Sequence, residues 1–167
     1  MKKRIQFDPS GIEYISNKSS EMKALIDLLG EIETYYIEDP FTGIKAIIEN
    51  EKADYSFVDF HAEATSEKVA LGYYLDGIAN VVVGTHTHVP TADNRVLPNG
   101  TLYMTDVGMT GPLNGVIGVS KEIVLDRFLN GFATPNEVAP GTKQLNAVIL
   151  DLVKKTIERI HIESETV

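Results

Sequence analysis

Three of the four histidines in the sequence follow short apolar runs, where the ends of neighbouring strands would bring their side chains together. His61 follows the β-prone run 55–60, and His86 and His88 follow the β-branched run 81–83 by way of a Gly-Thr pair. In open α/β sheets, chemistry collects outside the carboxyl ends of parallel strands. Neutral imidazoles are typical ligands for Zn, Mn, Fe or Ni. The pattern therefore indicates a metal site.

The spacing of His86 and His88 suits a shared site. Residues two apart in an extended segment point the same way, so both rings can face one cation while Thr85 and Thr87 face away. A single histidine at a strand end would favour a polar residue satisfied by backbone hydrogen bonds, but three together favour ligands. His161 alternates with two isoleucines, and we expect it to be structural, on the solvent face of a terminal strand.

Carboxylates near these histidines are candidates for orienting the rings, since a metal-bound imidazole usually donates its other N–H to a carboxylate or carbonyl. Asp59 and Asp106 occupy such positions. For Glu63, a solvated residue just before a helix is an equally good interpretation.

A strand, helix and strand position the histidines. The run 55–60, a helical pattern over 66–75 ending at Asp76-Gly77, and the run 81–83 predict a right-handed crossover with parallel, buried strands. Helical spacing of isoleucines predicts another helix at about 41–52.

The flanking segments extend this into an α/β fold with mixed sheets. Asn99-Gly100 predicts a hairpin between 95–97 and 101–104, and Ser120 is suited to begin a helix that ends at Asn130-Gly131. Further strands are predicted at 144–152 and 156–163, joined by a tight turn. Near the start, 5–7 and 12–15 suit short strands, and 24–29 suits a strand or a helix end.

Composition bounds the function classes. The 167 residues have the length of one domain, residues 1–167, and 43% of them are hydrophobic. A formal charge of -9 argues against non-specific nucleic-acid binding, and the absence of cysteine removes thiolate chemistry. We find no signal-peptide pattern and no stretch of the roughly 20 apolar residues that a membrane span needs. We therefore expect a cytoplasmic protein without a membrane partner.

Three blocks of sequence, residues 58–67, 84–93 and 105–112, resemble the YmdB-like bacterial metallophosphoesterases. The likeness runs from about residue 28 to about residue 162. It implies a calcineurin-like phosphoesterase sandwich of mixed sheets flanked by helices, with two divalent metal ions (Fe, Mn or Zn) that hydrolyse phosphodiesters such as 2',3'-cyclic nucleotides. By this resemblance His61 and His86 would bind one metal ion and His88 the other.

The sequence also departs from that family, whose longer members begin with a strand-end Asp, a Glu-Asn pair and an Asn-His pair. None of these motifs is present, and Glu49-Asn50 matches only in letters because it lies late in a charged helical stretch. We therefore expect the C-terminal part of a metallophosphoesterase domain, with the N-terminal part of the fold missing. Such a chain would hold at most one metal ion weakly, and we assign it no catalytic residue.

Several functions stay open. A separately encoded N-terminal half could complete the site, or the chain could be a catalytically inactive remnant or a metal-binding or partner-binding module. An amidohydrolase-like barrel also uses a His-x-His pair, but it needs further ligands downstream, where only His161 remains. A divided sandwich would leave apolar surface uncovered, so we also expect aggregation or a homo-oligomer.

Overall fold

The computed structural model describes residues 5–7, 39–51, 53–131 and 134–164. Within these ranges the chain is a mixed α/β fold with two sheets and three helices. The α/β class predicted from the sequence is confirmed. The predicted elements at 12–15 and 24–29 lie outside the described residues.

The larger sheet carries the histidine-bearing strands. Its strands are β1 (Ile5–Phe7), β2 (Phe57–His61), β3 (Val81–Thr85), β4 (Arg95–Val96) and β5 (Leu102–Met104). Their order in the sheet is β1-β2-β3-β5-β4; β4 runs antiparallel to its neighbour, and the other pairs are parallel. The predicted parallel crossover and the hairpin after it are both confirmed.

The smaller sheet is antiparallel throughout. Its strands, in the order in which they pair, are β6 (Gly111–Pro112), β7 (Lys143–Asp151) and β8 (Thr156–Ser164). The turn between β7 and β8 is held by Asp151, whose Oδ1 accepts hydrogen bonds from the backbone N–H groups of Val153 and Lys154 at 3.0 and 2.8 Å. The tight turn predicted there is confirmed.

The helices that connect these strands have ends that follow local sequence signals. They are α1 (Pro40–Asn50), α2 (Thr65–Tyr74) and α3 (Lys121–Asn130). Asp39 begins α1 by accepting a hydrogen bond from the backbone of Phe41, with proline at the first helical position, where its missing N–H costs nothing. Gly131 ends α3 in the left-handed conformation that glycine adopts without a steric penalty.

The larger sheet is the central layer of the core, because alternate residues of a strand face opposite sides. On one face, Val82 packs with Leu71 of α2 and with Leu75, the residue that follows α2. Val81 and Val83 face the other way, and they cluster with residues of the smaller sheet. Full burial of each such side chain contributes about 1.5–3 kcal/mol. The rim of this sheet, where β2 and β3 end, is therefore held from both faces.

One face of the smaller sheet is open. Leu145 of β7 pairs with Ile162 of β8, and Ile149 lies on the same face of the ladder. These side chains remain 40%, 56% and 53% exposed. Self-association through apolar surface stays a prediction. Among the described residues, no helix has both the length and the apolar character needed to cross a membrane.

Gly84 lies in close contact with the backbone of Thr105 at the rim of the larger sheet. A Cβ atom added there would lie 1.9 Å from the carbonyl oxygen of Thr105, which is backbone and cannot rotate away. We expect Gly84→Ala to lower the free energy of unfolding by roughly 1–3 kcal/mol or more, measured by urea denaturation. Gly111→Ala is the control, because its added methyl group would meet only the tip of the Met109 side chain. Equal stability of the two variants would contradict this packing.

Candidate metal centre

His61 and His86 come together where β2 and β3 end. The two strands are parallel with His61 opposite Thr85, so the residue after β3 emerges beside the end of β2. The Nε2 atom of His61 lies 3.0 Å from the Nδ1 atom of His86, and the ring planes meet edge to face at 85°. The structure therefore brings these two predicted ligands into direct contact.

The spacing of these two nitrogens suits a shared cation. Two imidazole nitrogens bound at right angles to one ion, each at about 2.1 Å, would lie roughly 3.0 Å apart. The donor set thus fits two ligands of one divalent metal ion, although within the described ranges no three His, Cys, Asp or Glu side chains group to hold one. A complete coordination shell requires additional ligands.

The backbone that carries His88 is not extended. His86 and His88 have positive φ angles of 106° and 64°. The extended conformation that we predicted for this segment is wrong, so the alternation of an extended strand does not apply to the two rings. The His88 ring instead meets the backbone carbonyl of Ile117, at 3.1 Å from Nδ1. Positive φ at residues other than glycine is strained, and such strain clusters at functional sites.

An open cavity of about 230 Å³ adjoins His88. Its walls include Pro90, Met109, Pro112 and Ile117, so they are largely apolar. The glycine-rich loop that follows Asp106 forms much of this wall.

Two carboxylates interact with the histidine pair, one indirectly and one directly. Asp59 reaches His61 through a hydroxyl group: Thr85 Oγ1 donates to Asp59 Oδ1 at 2.9 Å and lies 3.0 Å from His61 Nδ1. Glu63 Oε2 lies 2.7 Å from Nε2 of His86, although its side chain is largely exposed. Glu63 is thus both a solvated residue before a helix and a carboxylate that contacts a histidine ring.

Asp106 supports the histidine-bearing loop through a buried ion pair. Its Oδ2 lies 2.6 Å from Lys68 Nζ, and the two side chains are 0% and 2% exposed. Lys68 also donates to the backbone carbonyl of Thr85, while Thr87 N–H donates to Asp106. The ion pair therefore holds the chain on both sides of His86. Sequence reasoning missed Lys68.

The pKa of Asp106 follows from these contacts. Burial alone raises the pKa of this carboxyl, but hydrogen bonds from Lys68 and from the backbone of Gly108 and Thr87 outweigh it, so the pKa is lowered. A lowered pKa in the folded state means that the ionised form stabilises the fold. This contribution is fully present above the ordinary pKa of Asp, about 3.9, and is lost as pH falls through the lower folded value.

His161 lies on β8, as predicted, and is partly exposed. Its ring contacts Asn146 Oδ1 at 2.9 Å and Glu163 Oε1 at 3.0 Å. These contacts tie the ring to its own sheet.

The sequence profile of the YmdB-like protein family matches residues 6–164. The chain belongs to this family. It is 46% identical over 155 residues to a 2',3'-cyclic-nucleotide 2'-phosphodiesterase of Bacillus subtilis (strain 168), a match that covers 92% of this chain and 58% of that protein.

Two solved structures agree with the YmdB-like assignment. A hypothetical protein from Thermus thermophilus matches with a TM-score of 0.71 and 46% identity, over 80% of this chain and 54% of that one. A crystal structure described as a novel phosphatase from Mycoplasma pneumoniae matches with a TM-score of 0.71 and 38% identity, over 82% and 51%. The YmdB-like chain thus spans little more than half the length of these relatives.

The buried ion pair generates a stability prediction. Lys68→Met would leave the Asp106 carboxylate buried without its cation, and we expect the free energy of unfolding to fall by about 3–5 kcal/mol. Lys45→Met is the matched control, because Lys45 forms an exposed pair with Glu49 at 3.7 Å and its loss should cost well under about 1 kcal/mol. Urea denaturation at neutral pH measures both. Similar small losses in the two variants would show that the pair does not hold the loop.

Proposed function

We propose that this YmdB-like chain supplies His61, His86 and His88 to a dinuclear metal site that hydrolyses phosphodiesters, with 2',3'-cyclic nucleotides as the substrate class. The observation that carries the proposal is the 3.0 Å approach of the His61 and His86 rings at the carboxyl ends of two parallel strands. The named activity of the Bacillus subtilis relative supports the same reaction class. Under this proposal, His61 and His86 hold one ion and His88 belongs to the second.

When bound, a pair of divalent cations would supply Lewis acidity for the phosphate oxygens. The residues of this chain would position the metal ligands. Asp59 orients His61 through Thr85, and Lys68 and Asp106 fix the backbone on either side of His86.

The cavity of about 230 Å³ beside His88 combines apolar walls with polar groups. Pockets that bind small molecules combine apolar walls with a few polar groups, and this one joins Pro90, Met109 and Ile117 to His88 and Gln144. We propose that it receives the organic part of the phosphodiester.

Three imidazoles carry no negative charge to offset two cations, so the proposed site needs anionic ligands. We propose that a companion segment, equivalent to the part of the longer relatives that this chain does not match, supplies these ligands. The chain alone would then hold at most one metal ion weakly.

Catalysis by the chain with and without a companion tests this proposal. We expect little or no hydrolysis of 2',3'-cyclic AMP with Mn²⁺ by the chain alone, and measurable turnover after addition of the N-terminal portion of a longer YmdB-like relative. His86→Ala should abolish the gain because it removes a ligand, whereas His161→Ala should retain it. Product formation is followed by chromatography of the nucleotides.

Two results would contradict the proposal. Robust turnover by the chain alone that His86→Ala abolishes would show that no companion is needed. Turnover that survives His61→Ala and His86→Ala would remove the histidine pair from the reaction.

A second candidate function is a binding module without catalysis. It is favoured by the lack of any group of three metal-ligating His, Cys, Asp or Glu side chains in the described part of the chain. A folded chain that stays catalytically silent with every companion segment would support this function over the hydrolase.

A further inference from the structure

His61 is hydrogen-bonded to Asp59 through the hydroxyl group of Thr85. Three groups on one face of β2 and β3 form a continuous chain of hydrogen bonds: Asp59 Oδ1, Thr85 Oγ1 and His61 Nδ1. Asp59 and His61 are two residues apart on β2, and Thr85 lies opposite His61 on β3. Asp59 is only 5% exposed, so water competes little for its partners.

The number of available hydrogen atoms determines which group donates in each of these hydrogen bonds. A threonine hydroxyl has one hydrogen to donate, whereas an ionised carboxylate can only accept. The 2.9 Å contact between Thr85 Oγ1 and Asp59 Oδ1 therefore uses the threonine hydrogen. Thr85 Oγ1 has only lone pairs left for the nitrogen 3.0 Å away, so His61 Nδ1 must carry a hydrogen.

The opposite arrangement is unfavourable. If Thr85 donated to His61 instead, two oxygen atoms with lone pairs would face each other 2.9 Å apart, next to a buried carboxylate. A hydrogen bond to a charged group contributes about 1.5–3 kcal/mol, and this one would be lost. This penalty is large enough to set the balance between two tautomers that otherwise differ little in energy.

We propose that Asp59 and Thr85 are positioning residues that hold His61 in the tautomer with hydrogen on Nδ1 and a lone pair on Nε2. That lone pair faces His86, whose Nδ1 lies 3.0 Å away. A neutral imidazole with a lone pair on Nε2 can coordinate a divalent cation through that nitrogen. That Nε2 of His61 binds a metal ion rests on the proposed function.

Threonine suits this role for a second reason. Its branched side chain is stiff at χ1, so the hydroxyl is held toward the neighbouring strand. Valine has nearly the same shape without the hydroxyl, and serine keeps the hydroxyl without the methyl group. Thr85→Val and Thr85→Ser therefore separate hydrogen bonding from packing.

The tautomer can be measured without a metal ion or a substrate. Long-range ¹H–¹⁵N correlation spectra of the full chain, recorded metal-free at alkaline pH where imidazoles are neutral, distinguish the two ring nitrogens, and His61→Ala assigns the signals. We expect wild-type His61 to carry its hydrogen on Nδ1. In Thr85→Val the form with hydrogen on Nε2 should become populated, and Thr85→Ser should restore the wild-type pattern.

Asp59→Asn provides a second variant. The asparagine amide can donate to Thr85, which frees the hydroxyl to donate to His61 and should shift hydrogen to Nε2. Calorimetric titration with Zn²⁺ adds an independent readout. Loss of such an orienting contact typically costs about 10–100-fold in metal affinity, so we expect that weakening in Thr85→Val and wild-type affinity in Thr85→Ser.

The outcomes separate this inference from the proposed function. Hydrogen on Nε2 in the wild-type chain, or an unchanged tautomer in both Thr85→Val and Asp59→Asn, would overturn the inference whatever the chain binds. Equal weakening of Zn²⁺ affinity in Thr85→Val and Thr85→Ser would also overturn it, since packing would then explain the loss. The expected tautomers together with Zn²⁺ binding that His61→Ala and His86→Ala leave unchanged would support the inference and contradict the proposed function.

Discussion

The parallel pairing of β2 with β3 is the constraint on which the candidate site depends. Its register places His61 opposite Thr85, and the two strands are packed between helices on one face and the smaller sheet on the other. A slip of one residue would turn Asp59 and His61 to the face that Val58 and Phe60 occupy, and it would expose those apolar side chains. The burial that stabilises the register therefore also positions the histidine pair.

The loop after β3 needs a separate restraint, because the sheet ends before it. His86 and His88 hold positive φ angles, each of which costs on the order of 1–3 kcal/mol outside glycine. The buried pair of Lys68 and Asp106 binds the backbone at Thr85 and Thr87 and so keeps this conformation in place. Removal of one partner from a buried pair of charges strongly destabilises a fold. The conformation of the loop therefore depends on two residues, Lys68 and Asp106, that are not metal ligands themselves.

Much of the fold could be predicted because local signals agree with the packing. The β-branched run before Gly84, the Asn99-Gly100 turn and the Ser120 and Gly131 helix ends each correspond to an element of the structure. The prediction that His61 and His86 lie together rested on a general property of parallel sheets, which hold strand ends at one rim.

The path of the loop and its support could not be predicted in the same way. Alternation assumes extended backbone. Nothing in Gly-Thr-His-Thr-His indicates that two histidines take positive φ, so the predicted extended conformation was wrong. Lys68 was overlooked because lysine in a helix is usually solvated. One signal was present: Lys68 shares a face of α2 with the buried Leu71 and Gly72, where a charged residue needs a partner.

The central claim is that His61 and His86 converge to bind a divalent cation, and calorimetric titration with Mn²⁺ tests it most directly. The account predicts weak binding of no more than one ion per chain, lost in His61→Ala and in His86→Ala and retained in His161→Ala. Mn²⁺ binding that is unchanged by either of the first two substitutions, in variants that remain folded, would contradict it.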